Sequence, residues 1–213
     1  MMLFSARRAL LLSPHTDDAE FGMGGTVHRL VTNGVEMFSV AFSTAKESLP
    51  PGFGEDTLVL EAKESCKILG VPLANIRILD YPVRRFSQYR QDILEDLVRL
   101  KSLINPDLVF VHASSDLHQD HQTITQEAIR AFKHCTVFGY EQPWNIIEFR
   151  AQALVALCED NIAAKISACS AYRSQSHRSY ASAEFIRGWA RGRGVVLGES
   201  YAEAFEVLRL VVK

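Results

Sequence analysis

What most constrains this chain is the regular alternation of short apolar runs with longer stretches of helical period. Apolar runs at 9–13, 37–42, 76–79, 108–111 and 136–140 have the length and residue types of buried strands. Between them, 20–32, 58–69, 91–104 and 123–132 repeat their apolar positions at helical spacing, as with Ile93, Leu97, Leu100 and Ile104. Asn33-Gly34 and Gly70 supply helix stops. Residues 44–57 hold Pro50, Pro51, Gly52 and Gly54 and read as a loop. Strand–helix alternation of this kind predicts an α/β fold, a doubly wound (Rossmann-like), mostly parallel sheet with helices on both faces. After Tyr140 the pattern weakens. Helices are expected over 159–173 and 182–192 and a last strand over 204–212. With 213 residues and no linker or repeat, the chain reads as one domain over 1–213.

Composition excludes several classes. The formal net charge is -2, and the basic runs at 84–85 and 187–193 are short, so a nucleic-acid partner is not expected. No stretch approaches the ~18 apolar residues of a membrane span. The start of the chain runs directly into a polar His-Thr-Asp-Asp segment and reads as a first strand rather than a leader. Cys66, Cys135, Cys158 and Cys169 lie far apart with no C-x-x-C pair, as free thiols in a reducing compartment do. A cytoplasmic protein is expected, and a homo-oligomer is compatible with the sequence.

In a doubly wound sheet, ligands bind beyond the carboxyl ends of the strands. The two densest sets of His and Asp follow the first and fourth apolar runs. They are His15, Asp17, Asp18 and Glu20, then His112, Asp116, His118, Asp120 and His121. Strands one and four are neighbours at the usual switch point, so the two sets are expected to meet. A catalytic zinc site takes three protein ligands from His and carboxylate and leaves one position open. His15, Asp18 and His121 can supply them, for one Zn²⁺ per chain. Zinc lowers the pKa of a bound water to about 7. Asp17 is then placed to take the proton, His118 to serve the oxyanion or leaving amine, and Asp120 to orient a histidine. Gly22, Gly24 and Gly25 allow close backbone approach near a helix N-terminus that favours anions. The competing reading makes Asp17, Asp18 and Glu20 simple N-caps. A lone His-x-x-His is usually a surface feature, and His112 alone reads as structural.

Together, Pro14-His15-Thr16-Asp17-Asp18-Ala19-Glu20 and His118-Gln119-Asp120-His121 resemble the motifs of the PIG-L/LmbE-like family of zinc-dependent de-N-acetylases. The likeness continues through the stretches at 61–71, 106–110, 165–175 and 201–205. The resemblance implies zinc held by His15, Asp18 and His121, with Asp17 as general base. It also implies His118 as oxyanion stabiliser or acid, and Asp120 in support. Thr16 and Gln119 stand where the family usually has proline. Leu58 stands where sugar-processing members carry arginine. The expected activity is removal of an acetyl group from an amino-sugar-containing small molecule or glycan. Glu20, Arg84, Arg85, Tyr140, Trp144 and Asn145 are the expected substrate contacts. A zinc amidase for a non-sugar N-acyl compound is the alternative. A non-catalytic nucleotide binder is disfavoured, because Gly22-Met23-Gly24-Gly25 does not match G-x-G-x-x-G.

Overall fold

A computed structural model describes residues 6–212. The first five residues, part of the reading of the N-terminus, lie outside the described residues, as does Lys213. Seven strands form one sheet: β1 (Arg8–Ser13), β2 (Glu36–Ala41), β3 (Ile76–Ile78), β4 (Leu108–His112), β5 (Thr136–Tyr140), β6 (Ala153–Leu157) and β7 (Tyr201–Arg209). Their order across the sheet is β3-β2-β1-β4-β5-β7-β6. The first five run parallel. β7 pairs antiparallel with both β5 and β6. The helices are α1 (Asp18–Thr32), α2 (Thr57–Ile68), α3 (Arg90–Ile104), α4 (Gln119–Ala131), α5 (Glu159–Ser170) and α6 (Ala183–Val195).

The central strands alternate their side chains between two cores, as the period of two requires. Ala9 and Leu11 of β1 pack with Ala19, Val27 and Leu30 of α1 and with residues of α2, α5 and α6. Leu10 and Leu12 face the other way, toward Ile93, Leu97 and Leu100 of α3 and Ile124 and Ala128 of α4. The chain winds from β1 outward to β3 and returns on the far side of β1 at β4. The switch point therefore lies between β1 and β4, as the sequence predicts.

Beyond shifts of up to three residues at other helix ends, three features differ from expectation. The helix expected from residue 123 starts at Gln119, because the His118 side chain accepts the Asp120 N–H at 3.2 Å and caps it. The strand β6 is absent from the sequence reading. The last strand is Tyr201–Arg209 rather than 204–212.

The glycines of α1 also receive a different explanation. Met23 sits at φ -145°, ψ 26° and breaks the helix. Beyond the break, the Gly25 and Thr26 N–H groups donate to the Glu203 carboxylate of β7, at 3.1 and 2.6 Å. Glu203 is in turn paired at 2.7 Å with the buried Lys165 ammonium of α5. A Cβ on Gly22 would lie 2.4 Å from the Tyr140 ring, and one on Gly25 would lie 2.7 Å from Leu157. The close approach is made by the protein's own side chains, not by a ligand. The anion at the restarted helix is Glu203. This removes the ground for a nucleotide at 22–25.

Candidate active site

β1 ends at Ser13, and the turn that follows carries His15, Asp17 and Asp18 across the switch point. The His15 N–H donates to Asp18 Oδ2 at 2.8 Å, so Asp18 closes its own loop. Asp17 is the residue before α1, but its side chain makes no capping hydrogen bond. The plain N-cap reading of this carboxylate therefore fails. On the neighbouring strand, β4 ends at His112. The following loop brings in Asp116, and the first turn of α4 brings in Asp120 and His121.

The two sets meet. His15 Nδ1 lies 3.2 Å from Asp18 Oδ2. His121 Nε2 lies 3.4 Å from His15 Nδ1 and 3.4 Å from Asp18 Oδ1. Each histidine has a carboxylate on its other nitrogen: Asp120 Oδ2 is 3.1 Å from His15 Nε2, and Asp116 Oδ2 is 2.9 Å from His121 Nδ1. A proton donated outward to each carboxylate leaves the inward nitrogen with its lone pair free. Asp120 also accepts the Arg84 N–H at 2.6 Å, and Asp116 accepts the His118 N–H at 2.8 Å, so both carboxylates are themselves held.

His112, read as structural from the sequence, belongs to this centre. It is fully buried and stacks on His121 with ring centroids 3.7 Å apart. The Tyr140 hydroxyl donates to the Leu12 carbonyl at 3.1 Å and lies 3.1 Å from His112 Nδ1. That leaves His112 Nε2 buried without a hydrogen bond, 3.7 Å from Asp18 Oδ1. Ligand-type atoms of His15, His118 and His121, and of Asp18, His112 and His121, come close enough to hold a metal ion.

The electrostatics fit a cation as well. Burial alone would raise the Asp18 carboxyl, but His121, His15 and His112 outweigh it and hold it well below the usual range. Burial disfavours the charged form of His15, yet Asp18 and Asp120 overcome this and lift it to about 10. Without an ion, His15 is thus the cation these carboxylates demand. Asp17 is pushed up to about 6 by burial and by Asp18. His118 is pushed down to about 4 by burial and by His121 and His15. It is therefore neutral near pH 7. Its Nδ1 accepts the Asp120 N–H, which leaves its proton on Nε2.

The centre opens into a cavity of about 260 Å³. His15, Asp17, Asp18, His118 and His121 line its floor, together with Gln142, whose amide donates to Asp18 Oδ1 at 3.2 Å. Arg84, Trp144 and Asn145 line the cavity as expected from the sequence. Three expected contacts do not. Tyr140 is fully buried behind the centre, against His112 and the Gly22 backbone. Glu20 is buried beside Cys66, whose thiol donates to it at 3.4 Å, and burial raises it to about 8. Arg85 is exposed and does not line the cavity. The cavity gains Phe21 from α1 and Gln175, Arg178 and Tyr180 from the loop after α5. Trp144 stacks on Tyr180 with centroids 4.0 Å apart and planes at 9°.

A His/Asp donor cluster at the switch point of a doubly wound sheet, opening on a polar and aromatic cavity, defines a hydrolase-type centre able to hold a metal ion. The family model described as GlcNAc-PI de-N-acetylase (PIG-L) matches residues 10–132, and the chain belongs to that family. Its class is that of hydrolases acting on N-acetyl amide bonds. The chain is 26% identical over 173 residues to the uncharacterized deacetylase YaiS of Escherichia coli K12, covering 78% of this chain and 90% of YaiS. Its fold is similar to N,N'-diacetylchitobiose deacetylase of Pyrococcus horikoshii, with a TM-score of 0.75, 23% identity and coverage of 95% of this chain and 84% of that one. It is equally similar to GalB, the 4-carboxy-2-hydroxymuconate hydratase of Pseudomonas putida KT2440, with a TM-score of 0.76, 21% identity and coverage of 97% and 98%. The fold therefore hosts more than one chemistry. Among the described residues, no helix is long and apolar enough to cross a membrane.

Proposed function

We propose that the protein is a zinc-dependent N-deacetylase of an amino-sugar-containing substrate, with Asp17 as general base. The observation that carries this reading is the pair of inward-facing nitrogens, His15 Nδ1 and His121 Nε2. Each is backed by a carboxylate and closes with Asp18 at 3.2–3.4 Å. These three residues would hold the ion. Zinc, when bound, supplies a Lewis acid for the amide carbonyl and acidifies a water.

The chain's own groups do the rest. The Asp17 carboxylate takes a proton from the attacking water as its oxygen bonds to the acetyl carbon. His118 donates its Nε2–H to the carbonyl oxygen as negative charge grows there. The carbon–nitrogen bond then breaks, and the proton held at Asp17 passes to the departing amine nitrogen. Acetate and a free amino sugar leave. Asp120 and Asp116 fix the rings of His15 and His121 throughout. The stacked Trp144 and Tyr180 offer an apolar face to a sugar ring, and Asn145 and Gln142 offer hydrogen bonds.

The test combines elemental analysis with acetate detection. Protein purified without chelator is expected to carry about one zinc per chain and to release acetate from members of a panel of N-acetylated sugars, sugar nucleotides and glycans. His121→Ala is expected to lose the metal. Asp17→Asn is expected to keep it and to lose roughly 10²–10⁴-fold in kcat. Near-wild-type turnover by Asp17→Asn would remove it as base. Release only from N-acyl amino acids or peptides would shift the assignment to a non-sugar amidase, a reading that the apolar lining by Leu58 and Val83 favours.

A further inference from the structure

The loop between β4 and α4 carries Asp116 and His118, yet it rests on the antiparallel half of the sheet. Leaving β4 at His112, the chain passes over β5 at Gly139. A Cβ there would lie 2.8 Å from Ala113 Cα and 3.2 Å from the His112 carbonyl oxygen. Glycine at this position therefore lets the loop lie directly on the strand. The residue opposite Gly139 on β7 is Glu206. Residues directly opposite on antiparallel strands project to the same face, so the Glu206 side chain rises beside the crossing loop. Its carboxylate takes both donors of Ser114, the N–H at 2.7 Å and the hydroxyl at 2.8 Å.

Two residues further on, the loop reaches the centre. Asp116 Oδ2 lies 2.9 Å from His121 Nδ1, and Asp116 Oδ1 accepts the His118 N–H at 2.8 Å. The loop has other ties. The Ala113 N–H donates to the Tyr140 carbonyl and the Leu117 N–H to the Asn145 carbonyl, both at 3.0 Å, and the Gln122 amide donates to the Asp116 carbonyl at 2.9 Å. Ala113 and Leu117 fix the two ends. Glu206 fixes the stretch before Asp116, through charge-assisted bonds that are stronger than neutral ones. The same grip recurs across the cavity. There Glu61 of α2 takes the N–H and hydroxyl of Ser174, at 2.9 and 2.6 Å, beside Gln175 of the lining. Neither Ser114 nor Glu206 lines the cavity.

We infer that Glu206 is a positioning residue of the centre: by clamping Ser114 it sets the place of Asp116, and through Asp116 the ring of His121 and the backbone of His118. The chemical meaning of this clamp rests on the metal-dependent deacetylase reading. Its signature differs from that of a general stabiliser of β7. Glu203, three residues back on the same strand, projects to the opposite face and holds the Gly25 and Thr26 amides instead. Loosening of the whole strand reaches both sets of contacts, whereas loss of the clamp reaches one.

The experiment measures zinc affinity by competition with a chromogenic chelator in wild type, Glu206→Ala, Asp116→Ala and the double variant. Glu206→Ala is expected to bind zinc about tenfold more weakly, at the lower end of the range for losing an outer partner of a ligand. In the Asp116→Ala background the same change is expected to alter affinity by less than about twofold, because the residue it acts through is gone. Glu206→Gln should stay within about threefold of wild type, its amide oxygen accepting the Ser114 N–H and its NH₂ donating to the hydroxyl oxygen. Amide exchange of the zinc-free protein is expected to quicken roughly fivefold at His118 in Glu206→Ala and to stay unchanged at Gly25 and Thr26. If Glu206→Ala does not fold, Ser114→Ala carries the test: it removes only the hydroxyl, at an exposed position, and is expected to weaken zinc about threefold.

Wild-type zinc affinity in the folded variant, an equal loss in both backgrounds, or exchange quickened as much at Gly25 and Thr26 as at His118 would overturn the inference. None of these readouts needs a substrate. Absence of acetate release from every compound tried would end the deacetylase reading and leave the clamp to be decided by exchange and zinc affinity.

Discussion

Asp116 and Asp120 touch no ligand position of their own, yet they decide which nitrogen each histidine presents. Remove Asp116 and His121 loses both its tautomer preference and its ring orientation. The prediction for Asp116→Ala is a 10–100-fold weaker metal affinity with the fold retained, read by titration against a chromogenic chelator. Affinity equal to wild type would mean that the stack against His112 alone orients the ring. The sequence placed His15, Asp17, Asp18, His118, Asp120 and His121 in two strand-end clusters, and the structure brings those clusters together. It could not reveal His112, because a histidine closing an apolar strand looks the same whether it packs or faces a donor atom. Nor could it separate Arg84 from Arg85. The first, whose backbone takes φ 64°, lines the cavity, and the second does not. Arg178 and Tyr180 lie in a polar stretch with no period to mark it.

The break in α1 shows why the elements after Tyr140 were harder to read. The first four strands and helices carry their own signals, with β1 and β4 buried on both faces and each helix having an apolar side. β6 is five residues of alanine, leucine and valine at the sheet edge, too short to be told from helix by periodicity. What fixes this half is a long-range pair. Lys165 and Glu203 are almost completely buried, and Glu203 holds the Gly25 and Thr26 amides beyond the break. Replacing Lys165 with methionine strands a buried carboxylate, at a cost of about 3–5 kcal/mol in denaturant unfolding. Lys165→Met with Glu203→Gln should recover part of that loss, because the amide oxygen can still accept while the unpaired charge is gone. No recovery would mean that packing of the lysine stem against Gly24, not its charge, supplies the stability.

For the molecule as a whole, a metal that binds only the folded chain must stabilise it by mass action. Zinc at 100 times its dissociation constant adds about 2.7 kcal/mol. Thermal melts with zinc and with chelator should therefore differ by several degrees for wild type and coincide for His121→Ala. A shift that persists in the variant would place the ion elsewhere. The placement of β7 carries a consequence for how the enzyme comes into being. This strand fills the gap between β5 and β6, and its Glu203 sets the restart of the same helix whose first turn carries Asp18. Every residue proposed for the centre precedes this strand in the chain. The contacts that hold the centre therefore reach across the chain, and its assembly requires that Tyr201–Arg209 dock between β5 and β6.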